Sequence, residues 1–132
     1  MATADSNLIV RLLTEDDAAR VATLRALIDR LAAQGDTLFI PLTVVLEIEW
    51  VLRSRYVFDK NTVLSKFEEM LETGELEFQD EPVVEQALAL FREYSADFGE
   101  CLHLGTALQH LRPPLLTFDQ GAARLPGAEL LT

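Results

Sequence analysis

Short apolar runs alternate along this chain with longer segments of helical periodicity, and that alternation restricts its folds more than any other feature. Leu38-Phe39-Ile40-Pro41 is an apolar run stopped by proline, the pattern of a short buried strand. Leu76–Phe78 and Leu115–Thr117 repeat it, Ala2–Ala4 offers a first strand, and a final strand includes Leu130 and Leu131. Between them lie helical spacings: a turn or two at Leu8–Leu13, a longer helix at Ala18–Ala33 ending near Gly35, and helices at Thr43–Arg55, Asn61–Leu71, Pro82–Tyr94 and Phe98–Leu111. Val63, Leu64, Phe67, Met70 and Leu71 recur at helical spacing, Pro82 suits a first helical turn, and Pro113 and Pro114 stop the last long helix. Strands separated by helices predict an α/β fold, with a parallel sheet covered on both faces. The 132 residues suit one domain spanning 1–132. Sites in such folds form beyond the carboxyl ends of the strands.

Charge narrows the chemistry. There are 22 acidic side chains against 11 basic ones, a formal net charge of −11. A broad basic surface that captures nucleic acid by neutralising phosphates is therefore excluded. An enzyme that meets phosphates through bound cations is not, and a basic protein partner fits the balance. Cys101 is the only cysteine, so neither an internal disulfide nor a cysteine-based zinc site can form. No basic stretch followed by a long apolar run marks a signal peptide, and runs such as Leu42–Leu46 are too short to span a bilayer. A soluble cytoplasmic protein is the expectation.

Acidic residues stand where a site would form. Asp5 follows the first candidate strand and Asp119 follows Leu115–Thr117, so both fall at strand carboxyl ends. Each also stands before a helix, where aspartate is a favoured N-cap. Glu47 has Thr43, Val44, Trp50 and Val51 three and four positions away, and so projects from a mainly apolar face with no ion-pair partner on its own helix. Glu49 points the other way and has Arg53 four residues on, the spacing of a solvated surface pair. Asp97-Phe98-Gly99-Glu100 opens a helix and reads in two ways. Asp-x-x-Glu is a capping box, or Glu100 faces the sheet edge one turn into the helix. His103 reads as an ordinary polar residue on a mostly buried helix. Four carboxylates in one pocket repel by about 3 kcal/mol per pair at ~5 Å and an effective dielectric of ~20. A hard cation relieves that repulsion, and Mg²⁺ or Mn²⁺ suits oxygen ligands.

At these residues the chain resembles the PIN-domain proteins, and among them the VapC toxins of bacterial toxin–antitoxin pairs. Asp5-Ser6-Asn7 is similar to the family's opening Asp-x-Asn. Phe39-Ile40-Pro41, leading through Thr43 to Glu47 and then Trp50-Val51-Leu52, resembles its second acidic segment. Ala96 to His103 resembles the third, and Leu116-Thr117-Phe118-Asp119 the fourth. The likeness spans nearly the whole chain in the family's order. It implies a PIN-like α/β/α sandwich around a central, mainly parallel sheet of four to five strands. It implies a Mg²⁺- or Mn²⁺-dependent endoribonuclease with Asp5, Glu47, Glu100 and Asp119 as catalytic and metal-ligating residues. Asn7, Thr117 and Asp97 would support them. It further implies an RNA substrate, a VapB-like antitoxin partner and a homodimer. The third acidic position departs from the family by carrying Glu100 where aspartate is usual, which moves the carboxylate by more than ~1 Å, and catalysis is sensitive to shifts of that size. A degenerate PIN domain acting only as a protein-binding module is the alternative this departure keeps open. A response-regulator receiver domain fits poorly, because the only lysines, Lys60 and Lys66, lie mid-chain. A haloacid-dehalogenase-type phosphatase fits no better, because Asp5-Ser6-Asn7 lacks its second aspartate.

Overall fold

A computed structural model describes residues 2–132. They fall into two compact units, one running to Gln79 and the other from Asp80 to Thr132. The first contains β1 (Ala2–Thr3), α1 (Ser6–Thr14), α2 (Ala18–Ala33), β2 (Leu38–Ile40), α3 (Leu42–Ser54), α4 (Lys60–Leu71) and β3 (Leu76–Phe78). The second contains α5 (Glu81–Glu93), α6 (Phe98–Gln109), β4 (Leu115–Thr117), α7 (Gln120–Ala123) and β5 (Ala128–Leu130). The class is α/β, and every strand pairing is parallel, as the alternation predicts.

In the first unit the strands lie in the order β1-β2-β3, with Ala2 opposite Leu38 and Leu38 opposite Leu76. The Ala4 amide extends the β1 ladder by donating to the Phe39 carbonyl at 2.9 Å, so Asp5 is the first residue beyond the paired edge. Aspartates start three of the helices here: Asp5 caps α1, Asp17 caps α2 and Asp59 caps α4, each accepting a backbone N–H within the first turn. Pro41 stands at the N-cap of α3, where its missing N–H costs nothing. The buried side chains include Ile9 of α1, Leu38 and Ile40 of β2, Val45, Ile48 and Leu52 of α3, and Val63, Phe67 and Met70 of α4. No helix among the described residues is long and apolar enough to cross a membrane.

The five expected strands all form, but as a three-stranded sheet and a separate two-stranded pair, β4-β5, rather than one sheet of four or five. Strands of two or three residues carry few ladder bonds, and β4 finds its neighbour locally, across the four-residue helix α7. Sequence periodicity does not predict α7, because one helical turn is too short to show a face.

Within the second unit, α5 and α6 pack tightly. Phe91 and Phe98 meet edge to face at 5.4 Å between centroids. Gly105 is buried on α6, and a Cβ there would sit 3.1 Å from the Val83 carbonyl oxygen and 3.3 Å from the Ala87 nitrogen. Both are backbone atoms of α5, which cannot rotate away. Gly105→Val is therefore expected to cost about 1–3 kcal/mol by overpacking, outweighing the few tenths gained in helix propensity. A thermal melt checks it, and an unchanged midpoint would mean the helices separate at little cost.

Candidate active site

Two of the acidic residues of the first unit follow strands of its sheet. Asp5 follows β1 directly, and Glu47 lies on α3, which leaves β2 through Pro41. Both side chains are exposed. Ser6, only 7% exposed, joins them: its amide donates to Asp5 Oδ1 at 2.7 Å, and its hydroxyl lies 3.4 Å from the same oxygen and donates to Glu47 Oε1. One buried serine thus orients two carboxylates from segments 41 residues apart. Capping of α1 and a place at the edge of the sheet turn out to be one geometry for Asp5, because the oxygen that caps also faces the Ser6 hydroxyl.

These groups line a cleft of about 340 Å³ together with Asn7, Arg11, Trp50, Arg55 and Tyr56. Arg11 pairs with Asp16 at 3.2 Å, and the Tyr56 hydroxyl also donates to Asp16. Tyr56 first and Arg11 second hold the Asp16 carboxyl below its ordinary pKa, so Asp16 stays ionised and fixes both cleft residues. The cleft lining therefore combines hard oxygen donors with guanidinium groups. A divalent cation that prefers oxygen fits that donor set.

The reading of α3 from its sequence needs correction. Val45, Ile48 and Leu52 define the buried face, and Glu49 falls on it at 3% exposure, whereas Glu47 is exposed. The expected pair between Glu49 and Arg53 does form, with Arg53 Nε donating at 2.9 Å, but its carboxylate is buried rather than solvated. The signal was available, because Glu49 has Val45 and Leu52 as its own helical neighbours. Glu47 finds its partner outside its helix, in Ser6. Sequence reasoning passed over Ser6 itself, which its burial between the exposed Asp5 and Asn7 and its hydroxyl bond to Glu47 set apart.

In the second unit Asp119 follows β4 and caps α7, accepting from the Ala122 amide at 2.7 Å. Thr117 Oγ1 accepts from the Asp119 amide at 3.0 Å, which fixes the turn that carries the carboxylate. Asp97 takes the N-cap position of α6, yet its side chain accepts no capping hydrogen bond. The capping-box reading of Asp97 and Glu100 is thus not realised. Glu100 is half-buried in the first turn of α6, where the helix dipole favours a negative charge, and His103 is exposed. Within neither unit, among the described residues, do three or more His, Cys, Asp or Glu side chains converge as a ready-made metal cluster.

Comparison with known proteins finds similar chains. A curated protein named VapC ribonuclease, from Aquifex aeolicus (strain VF5), is 22% identical over 98 residues, covering 74% of this chain and 72% of that protein. A solved structure described as a toxin–antitoxin complex from Klebsiella pneumoniae aligns over 100% of this chain and 97% of its own, with a TM-score of 0.36 and 21% identity. The family model for the PIN domain matches residues 2–128, running through both units and taking in Asp5, Glu47, Glu100 and Asp119. On that match, the chain belongs to the PIN domain family.

Proposed function

We propose that this PIN domain is a metal-dependent endoribonuclease, the toxin of a VapBC-type toxin–antitoxin pair, hydrolysing RNA phosphodiester bonds with Mg²⁺ or Mn²⁺. The observation that carries the reading is the convergence of Asp5 and Glu47 on the Ser6 hydroxyl, inside a cleft that also holds Arg11 and Arg55. Two solvent-facing carboxylates held by one buried donor are pre-set to share a cation rather than to repel each other. The relative named VapC ribonuclease supports the same chemistry. Asp5, Glu47, Glu100 and Asp119 take the metal-ligating role in this proposal, with Asn7, Thr117 and Asp97 in support, and residues 1–132 act as a single domain. Bound Mg²⁺ or Mn²⁺ supplies Lewis acidity at a phosphoryl oxygen and a more acidic water. The chain's own residues hold the cation, and Arg11 and Arg55 meet the flanking phosphates despite the net charge of −11.

The proposal extends to a VapB-like antitoxin as partner, a homodimer and a cytoplasmic location. The second reading, a PIN domain that only binds protein, is favoured by one observation: Glu100 occupies the position where the resemblance expects aspartate.

Incubating the purified chain with single-stranded RNA and Mg²⁺ or Mn²⁺ tests the choice. Cleavage is expected, rising several-fold in Glu100→Asp as the carboxylate is restored to the family's length, about 1 Å nearer its helix. No turnover by either protein with either cation would discard the nuclease and leave the binding module.

A further inference from the structure

Trp50 lies one helical turn beyond Glu47 on α3, and 49% of it is exposed. An indole left half in water is a large apolar surface that folding has not used. The Arg55 guanidinium lies 5.9 Å from its ring centroid, and among the described residues no carboxylate pairs with Arg55. That guanidinium is therefore held close to an aromatic face with its charge uncommitted. Trp50, Arg55 and Tyr56 line the same cleft as Asp5 and Glu47. A flat π-surface, a guanidinium without a carboxylate partner and a pair of carboxylates thus share one concave site.

We propose that Trp50 and Arg55 form a nucleobase subsite for single-stranded RNA, Trp50 stacking one unpaired base and Arg55 meeting an adjoining phosphate. The inference rests on the nuclease reading and adds to it the residues that hold an unpaired base. A base can lie on an indole only when it is free of its own duplex, so the subsite selects single strands, loops and bulges. Stacking accepts any base, because each has a π-face, so the preference it creates is for unpaired structure rather than for sequence. Arg55 then has two partners in the complex, the indole and the phosphate, which an arginine can serve at once through its face and its edge. A protein segment would also cover an exposed indole. The uncommitted guanidinium beside the acidic pair favours a ligand that carries phosphates, which the cation held by those carboxylates would attract as well.

Trp50 is the only tryptophan in the chain, so its fluorescence reports on this subsite alone. The full-length protein is titrated with an oligoadenylate of about six nucleotides. Ca²⁺ is used in place of Mg²⁺, as a cation of equal charge that also takes oxygen ligands. The control is an abasic oligomer of equal length and charge. Strong quenching by the oligoadenylate and little by the abasic oligomer is expected. Read by the anisotropy of a labelled oligoadenylate, Trp50→Ala should weaken binding by about 5- to 150-fold, the range that loss of one base stack gives. Trp50→Phe should restore most of it, and a thermal melt shows that both variants fold. Equal binding of the two oligomers with no quenching would overturn the subsite, even if the enzyme cuts RNA. Quenching without cleavage under Mg²⁺ would leave the subsite standing and remove the nuclease. Unchanged oligonucleotide affinity in Trp50→Ala would overturn the proposal, and loss of a complex with a VapB-like antitoxin in the same variant would give the surface to a protein.

Discussion

Asp5→Asn is expected to lower the rate of RNA cleavage by on the order of 10²–10³-fold, the loss typical of deleting one preorganised charge-stabilising group, without lowering the melting temperature. The two effects separate because Asp5 has two roles that depend on different properties. Capping α1 needs only an oxygen that accepts the Ser6 amide at 2.7 Å, and asparagine caps as well as aspartate. Holding a divalent cation needs the negative charge, which asparagine lacks. Asp5→Ala removes both, and should add a loss of about 1 kcal/mol of stability to the same loss of activity. Asp119→Asn carries the same logic in the second unit, where the capping bond to Ala122 survives and the charge does not. Chelation with EDTA should reproduce the Asp5→Asn rate, and Mg²⁺ or Mn²⁺ should restore only the unmutated protein. Kinetics and thermal melts on the unmutated protein and the three variants decide the matter. An Asp5→Asn protein that cleaves normally would reduce Asp5 to a helix cap, and undiminished cleavage in EDTA would remove the metal.

Much of this architecture is written locally. Leu38–Ile40, Leu76–Phe78 and Leu115–Thr117 are strands because short apolar runs between helical segments leave little alternative, and the structure places all three where periodicity does. Ala18–Ala33 likewise keeps its expected bounds, with Gly35 at positive φ just beyond its end. What could not be read locally depends on choices between faces and partners. α3 carries apolar residues around much of its circumference, so its sequence admits two buried faces, and tertiary packing chose Val45, Ile48 and Leu52. Asp97 has the sequence of a capping box, but a side chain that can cap competes with water, and here it does not close on the backbone. Ser6 is invisible to periodicity and to charge, since its importance comes from a hydroxyl directed at a residue 41 positions away. The division of five strands into a group of three and a pair is a choice of hydrogen-bond partner, which strands this short do not encode in their own side chains.

The inversion on α3 yields a pair of opposite expectations. Glu47→Gln should lower cleavage by on the order of 10²–10³-fold while moving stability by no more than about 0.5 kcal/mol, as befits an exposed side chain. Arg53→Ala should do the reverse. Glu49 is 3% exposed and accepts from Arg53 Nε at 2.9 Å, so truncating the arginine leaves a desolvated carboxylate without its ion pair. Breaking a buried pair from one side typically costs 3–5 kcal/mol. Arg53 is itself 55% exposed, so water retains access to its end of the pair, and the lower figure of about 3 kcal/mol applies. For a chain of this size that is a fall of roughly 10 °C in melting temperature, with cleavage unaffected well below the transition. Glu49→Leu then distinguishes the pair from the packing: removing the buried charge instead of its partner should be neutral or mildly stabilising, because an apolar side chain of similar volume needs no counter-ion. If Arg53→Ala or Glu49→Leu abolished cleavage without moving the melting temperature, the functional carboxylate of α3 would be Glu49, and the cleft built on Glu47 and Ser6 would lose its chemistry.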